Sequence, residues 1–148
     1  MSAYMTANNS WQERNDPIIK AFRANNGRLD GQGRGRSLLL LTTTGARSGQ
    51  ARVAPLAFTR SGEHYVVIAS KGGSPTHPDW YHNLVGNPTV TVEVGGETFQ
   101  ARARVAEGDE HDSLFEAQAR EMPNFADYQL KTTRKIPVVV LERLSPQT

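Results

Sequence analysis

The sequence predicts an α+β protein, mainly β: a small barrel of about six mostly antiparallel strands with helices inserted. Three observations carry this. Short apolar runs recur from residue 37 onward, bounded by Gly, Pro, Ser and Thr. One pair of runs, TVTVEV-GG-ETFQARARV, alternates apolar and polar residues around a Gly-Gly turn, as a hairpin does. Helical signals are confined to short segments between the strands. Closing the strands into a barrel removes the unpaired edges they would otherwise expose.

The bulk composition limits the function classes. A chain of 148 residues can bury one real core. Its 37% hydrophobic and 22% charged residues fit a globular protein, not a disordered or membrane chain. A net charge of +2 argues for a local anionic ligand more than for nucleic acid. The lack of cysteine excludes disulfides, thiolate catalysis and Cys-ligated metals. No apolar span approaches the ~20 residues of a membrane helix. The start, MSAYMTANNSWQERND, lacks the layout of a secretory signal, so a cytoplasmic protein is expected.

Residues 1–36 read as an N-terminal helix and flexible linker, and 37–148 as the barrel. In NDPIIKAFRANNG, Asp16 is a good N-cap, Pro17 suits the first helical position, and Asn26-Gly27 is a stop signal. Ile18, Ile19 and Phe22 form one apolar stripe. So short a helix of mixed charge is expected to dock on its own domain in preference to a membrane. RLDGQGRGRS then reads as a connector; an RNA-binding arm would be longer and interleaved with aromatics.

SLLLLTTTG looks like a strand buried on both faces. QARVAPLAFTRSG alternates, with Val53, Pro55 and Ala57 on one side and Ala54, Leu56 and Phe58 on the other. With SGEH as its turn and HYVVIAS as its return, residues 51–70 are expected to form a hairpin. HPDWYHNLVGNP predicts a helix of about two turns. In the second hairpin Val90, Val92, Val94, Phe99, Ala101, Ala103 and Val105 face one way. EGDEHDSLFEAQAREMPN predicts a helix with acidic residues in its first turn and Phe115, Ala119 and Met122 on one face, interrupted by Pro123. IPVVVLERL closes the chain as a strand.

Hydrolytic and nucleotide motifs are absent: the chain has no G-x-S-x-G, H-E-x-x-H or G-x-x-x-x-G-K-[ST]. His77, Asp79 and His82 do not share one helix face, so a metal is not expected. The informative residues are cations at strand ends. TTTGARSGQAR sets Arg47 and Arg52 around a turn rich in backbone donors, with Ser48, Gly49 and Gln50 between them. Such a turn can clamp a phosphate or carboxylate. Lys71-Gly72-Gly73 repeats the device: a point charge beside backbone that no side chain screens.

Taken in order, LLLLTTTGARSGQARVAPLAF, VVIASKGGSPTHPDWYHNLVGNPTVTVEV and MPNFADYQLKTTRKIPVVVLE resemble the deazaflavin-dependent nitroreductase family of actinobacteria, from about Ser37 to the C-terminus. The resemblance implies a split β-barrel, the fold also used by flavin-binding oxidases, and reduced coenzyme F420 as cofactor, an 8-hydroxy-5-deazaflavin with a phosphate and oligoglutamate tail. It implies that Ala46, Arg47, Ser48 and Arg52 grip that tail, with Gln50 in the same turn and Lys71 and Gly72 joining the cluster. Val53, Ala54, Pro55, Leu56 and Ala57 would line the ring with Ile68, Ala69 and Ser70. Asp79, Trp80, Tyr81, His82 and Asn83 would bound it from the other side, and Phe125 completes the ring-facing set. Tyr128 and Ser70 are the candidate catalytic hydroxyls.

The implied reaction passes a hydride to a small electrophilic acceptor: a quinone, an activated enone or a nitroaromatic. The nitroimidazole-reducing members of the family carry tyrosines where this chain has Ala57, Met122 and Phe125. Three missing phenols predict a roomier site, weak at nitroimidazole reduction. Two alternatives share the fold: the barrel with FMN, and a non-catalytic F420 carrier. Split barrels commonly pair, so a homodimer is an expectation. A quinone reductase working at a membrane would touch it through the N-terminal helix.

Overall fold

The computed structural model describes residues 7–24 and 38–144, with side chains from Asn15 on in the first of these segments. Seven strands form one sheet in the order β2-β1-β5-β6-β7-β4-β3, and every pairing is antiparallel. The strands are β1 (Leu38–Thr44), β2 (Ala51–Ala57), β3 (Thr59–Ser61), β4 (His64–Ile68), β5 (Thr89–Val94), β6 (Glu97–Val105) and β7 (Val138–Arg143). The helices are α1 (Ala7–Ala24), α2 (Asp79–Gly86), α3 (Gly108–Glu121) and α4 (Asn124–Leu130). β2 and β4 lie far apart in the strand order yet touch, so the sheet curls upon itself as an open, split barrel.

The inside of the curl is one apolar cluster. Leu39 and Leu41 of β1, Val90, Val92 and Val94 of β5, Phe99, Ala101 and Ala103 of β6, Tyr65 and Val67 of β4, and Val139 and Leu141 of β7 all point into it. The intervening residues of β4 and β7, namely Val66, Ile68, Val138 and Val140, point outward into a second cluster roofed by α3 and α4. These two strands are therefore buried on both faces, which is why they read as unbroken apolar runs and not as alternation. Leu40 of β1 also turns away from the interior; it pairs with Glu93, whose carboxylate takes a forked pair of hydrogen bonds from Arg23 of α1 at 2.9 and 3.1 Å. α1 packs on β2 with Phe22 only 2% exposed, so its apolar stripe docks on its own barrel.

The second hairpin, the short α2, α3 and the closing strand form as expected. Gly95 and Gly96 turn the hairpin with φ of 56° and 85°, values that favour glycine. Two expectations need correction. Residues 51–70 are not one hairpin: only Thr59–Ser61 pairs with β4, while β2 leaves at Phe58 and pairs along its whole length with β1. Alternation fixes which face a strand buries, not which neighbour it joins. α1 begins at Ala7 and carries Pro17 inside it, so Asp16 is no cap. Proline withholds one N–H from the ladder, and Gln12-Glu13-Arg14 upstream are good helix formers that carry the helix through. Pro123 interrupts α3 as predicted, but the chain resumes at once as α4. The Asn26-Gly27 stop, the RLDGQGRGRS connector and the boundary at residue 36 lie outside the described residues.

Candidate active site

The β1–β2 connection is a compact loop from Gly45 to Gln50. Gly45 N–H donates to Gln50 O at 2.8 Å, Gly49 N–H to Gly45 O at 2.9 Å, and Gln50 N–H to Ser48 Oγ at 3.1 Å. A Cβ at Gly45 would stand 2.6 Å from Ser48 Oγ and 3.2 Å from Gln50 O, so a side chain there would displace the hydroxyl that closes the loop. The loop is pinned from below by Asn83 of α2, whose amide oxygen accepts from Ala46 N–H at 2.9 Å while its NH₂ donates to Thr43 Oγ1 at 3.1 Å. Asn83 is 7% exposed, a buried bracket between the loop and β1. Ala46, Arg47, Ser48, Gly49, Gln50 and Arg52 are all exposed above this anchor. Among the described residues neither arginine has a carboxylate partner. Open space surrounds Gly49, where φ is +71°.

The second cationic turn follows β4. Ser70 is helical (φ −78°), and the chain then swings left-handed at Lys71 (φ 47°), Gly72 (φ 63°) and Gly73 (φ 83°). Among the described residues Lys71 is the one non-glycine with positive φ. An L-residue held there carries backbone strain that glycine would not. The turn's own bonds use the N–H groups of Ser70, Gly73 and Ser74, not those of Lys71 and Gly72. Successive N–H groups in such a right-then-left turn converge on one spot and form an anion nest.

Arg134, which the sequence did not single out, holds this turn in place. Its guanidinium donates to Ala69 O at 3.1 Å, Ser70 O at 2.7 Å, Ser74 O at 2.8 Å and His77 Nδ1 at 2.8 Å. Burial lowers its pKa from the usual arginine value, although it stays cationic. His77 has its pKa lowered by burial, by the Arg134 charge and by His82, so the neutral imidazole accepts the Arg134 bond. With Arg134 bonded at that nitrogen, the His77 lone pair there is taken. The rings of His77, Tyr81 and His82 cluster at 4.8–5.8 Å between centroids at the start of α2.

Between the turns lies an apolar strip. Curling brings β2 against β4, and Val53, Ala54, Pro55, Leu56 and Ala57 are all half-buried. Their destinations differ: Leu56 packs on the interior core with Trp80 and Tyr81 of α2, whereas Ala57 packs on the outer cluster with Ile68. Trp80 and Tyr81 are half-buried against that core, and Asp79 and His82 are the exposed residues of that segment. Ile68, Ala69 and Ser70 are buried at the end of β4.

Met122, Phe125 and Tyr128 gather around the same outer cluster as Ala57 and Ile68. α4 presses on the Lys71 turn, since a Cβ at Gly73 would stand 2.9 Å from Tyr128 O and 3.0 Å from Lys131 Cβ. The Tyr128 ring meets Phe125 edge-on at 5.4 Å, its hydroxyl accepts from Asn124 Nδ2 at 2.9 Å, and Lys131 Nζ lies 5.8 Å from its centroid. Sequence reasoning had Tyr128 but missed Asn124, Lys131 and Arg134. The i, i+4 spacing of Asn124 and Tyr128 on α4 was the signal that could have paired them.

Comparison with known proteins identifies this arrangement. The F420H(2)-dependent quinone reductase family model matches residues 16–143. An F420H(2)-dependent quinone reductase of Mycobacterium tuberculosis is 40% identical over 126 residues, which cover 82% of this chain and 85% of that one. Among solved structures, an F420-H2 dependent reductase, FDR-A, superposes with a TM-score of 0.66 at 42% identity, over 71% of this chain and 93% of its own. A chain solved as a domain-swapped dimer gives a TM-score of 0.69 at 34% identity, over 93% of this chain and 100% of its own. The heme storage protein HutZ of Vibrio cholerae, 22% identical with a TM-score of 0.58 over 88% of this chain and 91% of its own, shares the fold alone. With its split barrel and its match to the family over nearly its whole length, the chain belongs to the F420H(2)-dependent quinone reductases, oxidoreductases that use reduced coenzyme F420 to reduce small electrophilic acceptors.

Proposed function

We propose that this protein reduces quinones or conjugated enones in preference to nitroimidazoles, with coenzyme F420 held by the two cationic turns. The observation that carries the reading is Lys71, kept in a left-handed turn that glycine would occupy more easily. The residues fit the cofactor. Arg47, Arg52 and Lys71 offer charge to its phosphate and carboxylates. The N–H groups of Lys71 and Gly72 and the open space over Gly49 and Gly72 leave room for oxygen atoms to approach bare backbone. Ala57, Ile68 and Ala69 give the flat ring an apolar slot. Gln50, Ser48 and Ala46 complete the first turn, while Asp79 and His82 face the exposed side.

When bound, the reduced deazaflavin supplies a hydride. The protein's part is to bind, orient and exclude water. Met122, Phe125, Ala57 and Tyr128 bound the acceptor, and the buried Ile68 and Phe125 keep that side dry. A quinone that gains a hydride needs one proton to finish as hydroquinone, and the Tyr128 hydroxyl, with Ser70 as the second candidate, stands on this side to give a hydrogen bond to the developing oxyanion. Three of the four positions carry no phenol, which leaves a nitro group with few donors.

In this reading residues 37–148 form the cofactor-binding domain, and 1–36 an attached helix and connector. Homodimers are the proposed assembly, and sedimentation at micromolar concentration tests it. The proposed compartment is the cytoplasm, and because α1 lays Phe22 against the barrel its apolar stripe is not offered to a membrane; co-flotation with anionic vesicles would overturn that. The functional test is turnover of the same reduced cofactor with menadione and with a bicyclic nitroimidazole. Faster oxidation by menadione is expected, and faster oxidation by the nitroimidazole would contradict the proposal.

A further inference from the structure

We infer that Asn124 aims the Tyr128 hydroxyl proton at the carbonyl oxygen of the bound acceptor, an inference resting on the acceptor side proposed above. Asn124 and Tyr128 lie one turn apart on α4, and the Asn124 amide donates to Tyr128 Oη at 2.9 Å. A phenol has one proton to give and lone pairs to accept with. Since Asn124 donates into a lone pair, the proton cannot point back at Asn124 and is free for another acceptor. Among the described residues no protein group accepts it.

The surroundings hold the ring in place. Phe125 meets it edge-on at 5.4 Å, and Lys131 Nζ lies 5.8 Å from its centroid. Tyr128 O abuts Gly73, so the helix turn bearing the hydroxyl is seated on the Lys71 turn and cannot drift from it. An N–H donor at the phenol oxygen polarises its O–H bond and makes it a stronger donor. A fixed, polarised O–H with no protein acceptor suits an acceptor-only group, and a quinone or enone carbonyl is one. Asn124 is thus a positioning residue acting through Tyr128.

The side-chain amide is what makes this testable. In Asn124→Asp a carboxylate that only accepts would pull the Tyr128 proton towards itself. In Asn124→Ala the hydroxyl would rotate freely. The probe is menadione carrying ¹³C carbonyls, bound to the cofactor-free protein and followed by infrared difference spectroscopy and by quenching of tryptophan fluorescence. The expected result is a carbonyl stretch lowered on binding to the wild type, returned in Asn124→Asp to the value seen with Tyr128→Phe, and intermediate in Asn124→Ala. Affinity should fall about tenfold in Asn124→Asp, the worth of one hydrogen bond. Adding Asn124→Asp to Tyr128→Phe should cost nothing further. An unshifted carbonyl in the wild type, a wild-type spectrum in Asn124→Asp, or an undiminished loss in the Tyr128→Phe background would overturn the inference. Failure of the broader reading looks different: the carbonyl shift would be present while menadione failed to oxidise the reduced cofactor.

Discussion

Replacing Lys71 with glycine should move stability and cofactor affinity in opposite directions. The Lys71 φ of 47° places an L-residue in the left-handed region, which costs about 1–2 kcal/mol. Glycine relieves that cost but gives back about 0.5–1 kcal/mol through the freedom it gains when unfolded. The side chain itself contributes little to the fold: its one bond, to Thr76 Oγ1, is long at 3.4 Å and exposed. The backbone around it is held independently, by Ser74 bonding to Lys71 O at 2.8 Å and by Arg134 on the neighbouring carbonyls. Net stability should therefore rise by about 0–1.5 kcal/mol, a Tm gain of at most about 6 °C. Affinity for F420 loses an ammonium on an anionic tail, about 1.5–3 kcal/mol, or roughly ten- to hundredfold in Kd. Lys71→Ala should lose the same affinity while keeping the strain, so its Tm falls below that of Lys71→Gly. The assays are thermal unfolding without ligand and fluorescence titration with the oxidised cofactor. Wild-type affinity in Lys71→Gly would show that Lys71 does not hold the tail, and a Tm below that of Lys71→Ala would show that the turn is not strained.

Other expectations follow from the same contacts. Gly73→Ala puts a Cβ 2.9 Å from Tyr128 O at a φ of +83°; it should destabilise by about 2 kcal/mol or more and lower Tm by at least about 4 °C, and a wild-type Tm would show that α4 does not seat on this turn. Asn83→Ala removes both bonds that tie the first cationic loop to β1 and α2, at about 1–3 kcal/mol; urea unfolding measures it, and proteolysis should then cut first within 45–50. His77 titrates below its usual 6.5 in the fold because of burial and then the Arg134 charge. A depressed histidine pKa means that the unfolded chain binds more protons near pH 6, so stability is fully present above 6.5 and is lost as pH falls through the folded value. In His77→Gln, whose amide oxygen can still accept from Arg134, that part of the acid loss should disappear from a series of unfolding curves between pH 7 and 5.

Much of the fold was legible because it is written locally. TVTVEV-GG-ETFQARARV carries its own register in its alternation and its turn, and the VVVL run carries its double burial. The partner of β2 was not legible. Its alternation suits either neighbour, and TTTGARSGQ looked like a binding loop, which obscured that it is also the turn of the β1–β2 hairpin. For the site, cations at strand ends stood out because they break apolar runs. Arg134 did not: its partners at Ala69, Ser70 and Ser74 lie 60–65 residues away along the chain and are backbone carbonyls, which no side-chain pattern reveals. Trp80 and Tyr81 carry a part that no local pattern shows: both are half-buried and pack on the interior cluster.

The central claim is that the two strand-end turns bind the anionic tail of the cofactor. Fluorescence titration of oxidised F420 with Arg47→Ala, Arg52→Ala and Arg60→Ala tests it most directly, because all three remove one exposed positive charge and Arg60 lies on β3, stacked over Tyr65 at 4.6 Å. Kd should rise about tenfold or more for Arg47→Ala and Arg52→Ala, with a shallower salt dependence, and stay unchanged for Arg60→Ala. Equal, small effects from all three would show that only net charge matters and would contradict it.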